Sequence, residues 1–206
     1  MNQTQNTENA ILQAAEKLFK ENGFTRTTTP AIAREAGVTH AMLHYYFRTK
    51  EQIFLQVLDG YIKEMHEDFK AVMKPGEDAL TTIREVASRH FDFMEQHQGQ
   101  MKVLLEVSEQ QPEIIGRYRE GFTRMASTAL RRHQERLDEA AARGEIARVK
   151  MVELLCDIVM NNYATFALLP LVRNALQMDE TTVKTFLEAR KRSSVEAVCN
   201  RLQIKN

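Results

Sequence analysis

Between Lys50 and Met73 the chain passes through Ile53, Phe54, Val57, Leu58, Tyr61, Ile62, Met65 and Phe69, with no proline among them. These apolar residues recur at steps of one, three and four, the spacing that lines one face of an α-helix. Similar patterns predict helices over Glu8–Asn22, Thr29–Ala36 and Thr39–Phe47, and then over about 78–97, 99–110, 112–143, 148–169 and 179–203. No stretch alternates in the two-residue rhythm of a strand. The chain has 206 residues with only four prolines and eight glycines, and most of these fall near the expected helix ends. An all-α fold follows, with 43% hydrophobic residues to fill its core.

The punctuation fixes the helix limits. Thr7 is expected to cap the first helix, and Gly23 to end it in a left-handed conformation. Thr29 before Pro30 signals a second start, Gly37 a stop, Thr39 a third start and Thr49 a fourth. Lys74-Pro75-Gly76 is the clearest break. Gly99, Pro112, Gly144, Pro170 and Met178-Asp179 mark the later limits. Two domains are expected, one over residues 1–50 and one over residues 51–206.

Several classes are disfavoured. Cys156 and Cys199 have no zinc or disulfide spacing, and both are expected as reduced, buried thiols of a cytosolic protein. Residues 1–10 are polar, unlike a signal peptide. The greasiest stretch, Met151–Val172, carries Glu153, Asp157, Asn161 and Asn162, a series that a membrane span does not tolerate. A cytoplasmic protein outside the membrane is therefore expected. No glycine-rich phosphate loop, nucleophile elbow or metal-ligand cluster stands out, so neither an enzyme nor a cofactor is expected.

The net charge is zero, yet Gly23–Lys50 holds Arg26, Arg34, Arg48 and Lys50 against the single acid Glu35. A helical wheel places Leu43, Tyr46 and Phe47 on one side of the third helix. His40, Ala41, His44 and Tyr45 share the other. Two short helices joined at a glycine, one with an apolar anchor and a polar, aromatic outer face, describe a helix-turn-helix. Counting from Thr29, Ala33 stands fifth, where a small residue allows close crossing, and Gly37 ninth, where positive φ turns the chain. Ile32, Ala36, Val38, Leu43 and Tyr46 supply the buried positions. An ordinary helix pair in a bundle would leave the exposed aromatic and basic edge unexplained. His40 and His44 also stand at metal-pair spacing, but Ala41 replaces the glutamate of the zincin motif and no third ligand is near.

The run GFTRTTTPAIAREAGVTHAMLHYYFRTKEQIF resembles the DNA-binding domain of TetR-type transcriptional regulators, most specifically over residues 8–55. The resemblance implies an N-terminal three-helix DNA-binding domain followed by a C-terminal helical domain for ligand binding and dimerisation. It implies that Thr29, Thr39 and Lys50 contact phosphate. His40, Ala41 and Met42 would face base edges, and His44 and Tyr45 would face backbone or bases. Two positions depart from the family pattern. Ala41 stands where glycine is usual and could touch a thymine methyl, and His44 stands where tyrosine is usual.

A single helix-turn-helix reads few base pairs, so a homodimer on a palindromic double-stranded operator is expected. After Val149, Glu153, Asp157, Asn161 and Thr165 form a narrow polar stripe. The remaining circumference is apolar enough for two neighbours, the subunit's own core and a second subunit. Dimerisation through the C-terminal helices is also what the resemblance implies. So is an effector, an unknown small molecule, for which Tyr61, Met65, Phe91, Met94, Leu104, Phe122, Met125, Met160, Tyr163 and Phe166 offer an apolar shell. His90, His97, Asn161 and Asn162 could orient a polar group within it. The expected function is transcriptional regulation, with repression its direction. The competing reading is a helical, protein-binding adaptor that does not bind DNA.

Overall fold

The computed structural model describes residues 3–72 and 77–204. Among these the regular elements are all helices: α1 (Gln3–Asn22), α2 (Thr29–Glu35), α3 (His40–Tyr46), α4 (Lys50–Val72), α5 (Ala79–Gln96), α6 (Gln98–Gln110), α7 (Pro112–Ala142), α8 (Met151–Ala175) and α9 (Glu180–Asn200). The side chains of Gln3, Phe69, Ala71 and Val72, and of residues 117–129 in α7, fall outside the description.

Contacts divide the chain into two compact units, residues 1–64 with 97–122, and residues 65–96 with 123–206. In the first unit, α1 contributes Ile11, Ala15 and Phe19 to the core, α2 Ile32 and Ala33, α3 Leu43, α4 Ile53, Phe54 and Leu58, and α6 Val103 and Val107. Phe19, Phe24 and Phe54 meet with ring centroids 5.3 to 6.1 Å apart. Such tilted and edge-on pairs add about 1 kcal/mol each beyond area burial. α6 thus packs in the same unit as the three N-terminal helices, although more than fifty residues separate them in sequence.

In the second unit, Ile83, Val86 and Ala87 of α5, Leu137 and Ala140 of α7, Leu154 and Ile158 of α8, and Val195, Val198 and Leu202 form one buried cluster. Polar groups are buried as well. Asn162, on α8, hydrogen-bonds to His90 Nδ1 at 2.9 Å and donates to the Ala87 carbonyl at 3.3 Å. It accepts from the Ser194 hydroxyl at 2.5 Å. One amide therefore ties α5, α8 and α9 together, and burial of polar groups in this way is tolerated because each finds a partner.

Several expectations change. α1 starts at Gln3, so Thr7 lies inside the helix; the polar run before Glu8 carries no stop signal. Asp179 caps α9 by accepting from the Thr182 amide at 2.8 Å. α8 continues through Pro170 to Ala175. The proline removes its own N–H and crowds the preceding turn, and neither effect bars the residues that follow it. The helix ends instead at Gln177, whose φ is +49°, with the Met178 amide donating back to the Arg173 carbonyl at 2.9 Å. Cys199 is buried as expected, but Cys156 is exposed. Thr165, expected on the polar stripe, is buried. With apolar residues on nearly every side of α8, periodicity cannot choose which face turns inward.

Candidate nucleic-acid interface

The α2–α3 pair is set by local chemistry. Pro30 lies in the first turn of α2, where its missing N–H is not needed. The cap one step earlier is Thr28 rather than Thr29, and its hydroxyl accepts from the Ala31 amide at 3.4 Å. α2 closes with Gly37 at φ +67°, which lets the Val38 amide return to the Ala33 carbonyl at 3.0 Å. Thr39 caps α3 as expected, accepting from the Met42 amide at 3.1 Å. Thr49 does the same for α4, accepting from Gln52 at 3.2 Å.

α3 turns the expected way. Leu43 and Phe47 are buried and Tyr46 is half-buried. His40, Ala41, Met42, His44 and Tyr45 are exposed together, Tyr45 at 83% of its surface. The His40 and His44 rings stand edge to face, 4.3 Å apart. Thr29 is half-buried, and its hydroxyl meets His40 Nε2 at 3.2 Å. This contact joins the start of α2 to the start of α3 and leaves one fewer open valence at both residues. Among the described residues no group of three or more His, Cys, Asp or Glu is arranged to hold a metal ion.

Lys50 is placed differently from the other expected contacts. Its ammonium turns back under the α1–α2 connection and donates to the carbonyls of Phe24 at 2.8 Å and Thr27 at 2.9 Å, with Thr25 at 3.5 Å. It also lies 4.2 Å from the centroid of the Phe24 ring. Burial pushes its pKa down, against the upward pull of Glu51 and Glu106. In the absence of DNA its protons are directed at these carbonyls, not outward as a phosphate contact would have them.

Sequence reasoning missed Glu106 on α6. Its carboxylate accepts from the Phe24 amide at 3.0 Å and the Thr25 amide at 2.9 Å. Beside it, the Thr25 hydroxyl donates to Gln110 at 2.9 Å. Desolvation pushes the Glu106 pKa up, but the donors of Thr25 and Phe24 and the charge of Arg26 together hold it below the usual value. Nothing local in the sequence points from residue 106 to residues 24 and 25.

The residues of the expected effector shell fall in both units and differ in burial. Phe91, Met94 and Phe166 are buried, with the Phe91 and Phe166 rings 4.9 Å apart. Met160 is exposed, and Met65 and Tyr163 are half-buried. Tyr61 and Leu104 belong to the first unit, where they line a crevice of only about 20 Å³. Burial and Glu64 push the Tyr61 phenol up to about 12. The side chains of Phe122 and Met125 lie outside the described residues. His90 and Asn162 bond to each other, His97 faces Glu64 at 3.3 Å, and Asn161 is half-buried. A larger cleft of about 380 Å³ opens elsewhere in the second unit, lined by Thr82, Ile83, Val86, His133, Arg136 and Met151 among others.

Residues 11–57, which span α2, α3 and the start of α4, match the family described as bacterial regulatory proteins, tetR family. Among curated proteins, the chain is 27% identical over 99 residues to an uncharacterized HTH-type transcriptional regulator, YhgD of Bacillus subtilis, covering 48% of this chain and 52% of that one. It is 25% identical over 85 residues to the HTH-type transcriptional repressor KstR2 of Rhodococcus jostii, covering 41% and 42%. The matches thus span about half of these relatives or less. Among solved structures, Salmonella enterica GusR aligns over 98% of both chains with a TM-score of 0.69 at 16% identity, a likeness of fold. With a helix-turn-helix built as its sequence requires and a family match across that motif, residues 11–57 form a DNA-binding domain of the kind found in bacterial regulatory proteins of the tetR family.

Proposed function

We propose that this protein is a sequence-specific DNA-binding transcriptional regulator that acts as a homodimer, represses its target and responds to a small-molecule effector. The observation that carries the reading is the outer face of α3. There, two imidazoles, a phenol, a thioether and a methyl are exposed on a helix whose opposite side is anchored by Leu43. A helix held in this way fits a major groove. In this reading Thr29 and Thr39 meet phosphate through their hydroxyls, and His40, Ala41 and Met42 meet base edges. His44 and Tyr45 meet backbone or bases.

Dimerisation is supported by α8. Val152, Val159, Met160, Leu168 and Leu171 are exposed on it, Met160 and Leu171 at 67% each. The same helix buries Leu154, Ile158, Asn162 and Phe166. It is the one helix among the described residues long and apolar enough to cross a membrane. Its buried face, and the pairs that Glu153 and Asp157 make with Arg201, favour a core helix whose outer face meets a second subunit. The repressor assignment is supported by the family and by the KstR2 relative's name. The effector reading attaches to the 380 Å³ cleft of the second unit, which combines an apolar floor with Arg136 and His133.

Selection of duplexes from a random-sequence pool, followed by titration of the winning duplex, tests the reading. A palindromic consensus bound by two chains is expected. Recovery of no consensus, with only weak retention at low salt, would leave the protein-binding adaptor as the better account.

A further inference from the structure

The connection between α1 and α2, residues 23–28, is gripped from two sides by opposite charges. Glu106 takes the amides of Phe24 and Thr25, and Lys50 takes the carbonyls of Phe24 and Thr27. The N–H ends of the peptide dipoles therefore meet a carboxylate and the C=O ends meet an ammonium, the arrangement in which each charge-assisted bond is strongest. Three further features support the grip. Gly23 has φ +80°, and a Cβ there would lie 2.6 Å from Glu106 Oε2, so glycine is needed both for the turn and for the carboxylate's approach. The Thr27 hydroxyl, almost fully buried, lies 2.7 Å from the Gly23 carbonyl and 3.1 Å from that of Leu18. The Phe24 ring, under the Lys50 ammonium, packs against both Phe19 and Phe54.

We propose that Glu106 and Lys50 are positioning residues for DNA binding: a charge-matched clamp on residues 23–28 that fixes where α2 begins, and through α2 how α3 is presented. The connection runs directly into Thr28, the cap of α2. From there Thr29 reaches His40 at 3.2 Å on the outer face of α3. A loosened connection lets α2 start in more than one place, and the face of α3 is then presented as a spread of orientations, only some of which fit the groove. Lys50 acts from inside the unit on the carbonyls, and Glu106 lets a helix far along the sequence take part in the reading domain.

The inference rests on the DNA-binding reading, and its test separates the two. Full-length wild type, Glu106→Gln and Lys50→Met are titrated with a duplex selected by the wild type, across a range of salt. Amide exchange of Phe24 and Thr25 is followed by NMR in the same three proteins without DNA. Glu106→Gln keeps the shape but presents an NH2 group to one of the two amides, so those amides are expected to lose protection. Affinity is expected to fall about tenfold in each variant, the size of one charge-assisted hydrogen bond. In Glu106→Gln the salt slope stays at the wild-type value because no cation has been removed. A slope flattened by about one in Glu106→Gln would mean that a phosphate contact had been lost with the carboxylate and would overturn the proposal. Wild-type affinity in Glu106→Gln would also overturn it, and so would unchanged amide exchange, whether or not Lys50→Met folds. If the wild type selects no duplex, the DNA-binding reading has failed, and amide exchange still decides whether the clamp exists.

Discussion

Acid should destabilise this protein through the buried imidazole of His90. His90 is 4% exposed, and burial lowers its pKa from 6.5 to about 4. Because the folded value lies below the unfolded one, the unfolded chain takes up the proton first as the pH falls. The contribution to stability is complete above about pH 6.5 and is lost as the pH drops toward 4. At about 1.4 kcal/mol per pH unit, the loss by pH ~4.5 is about 3 kcal/mol. That is a large share of the total for an ordinary domain. Protonation also costs the contact with Asn162 whenever Nδ1 is the acceptor, which fixes the site structurally. The assay is urea unfolding at pH ~7.5 and ~4.5 for wild type and His90→Gln, whose amide can still bond to Asn162. His133 is lowered too, by burial and then by Arg136, Arg132 and His66, so part of the acid loss persists in the variant. The difference between the two proteins isolates His90 and should be about 3 kcal/mol. Equal acid losses in the two proteins would refute the reasoning.

Two further outcomes are expected. Gln177→Gly relieves a left-handed backbone at the end of α8 and should raise stability by about 1 kcal/mol, seen as a higher urea midpoint with unchanged slope. Met160→Glu puts a charge on the exposed apolar face of α8; sedimentation should show the dimer dissociating at least tenfold more readily, while the circular dichroism of the chain is unchanged.

The parts of the fold that were legible in the sequence are those fixed by neighbours. Pro30, Gly37 and Thr39 act within four residues of themselves, and α2 and α3 fall within about a residue of the expected limits. The inward turn of Leu43 and outward turn of His40, His44 and Tyr45 follow from helical spacing alone. What was not legible depends on partners distant along the chain. The start of α1 lacks any stop signal. The inner face of α8 is chosen by α5 and α9, through contacts such as that of Asn162 with His90 and Ser194. Lys50 reads as a surface cation until the carbonyls beneath it are seen. An effector shell is hard to read from sequence for a related reason: aromatic and methionine side chains at helical spacing mark burial, and they do not say whether the buried space is filled.

Lys50's inward turn also bears on how the protein would search a genome. With that ammonium turned inward, the other lysine and arginine side chains of residues 23–50 are Arg26, Arg34 and Arg48, of which Arg26 already donates to the Asn22 carbonyl at 2.8 Å. Loose, sequence-blind sticking to DNA scales with the number of counterions displaced. A reading head that depends on hydroxyl, ring and methyl contacts more than on cations would linger briefly on random sequence and hold its own site by fit.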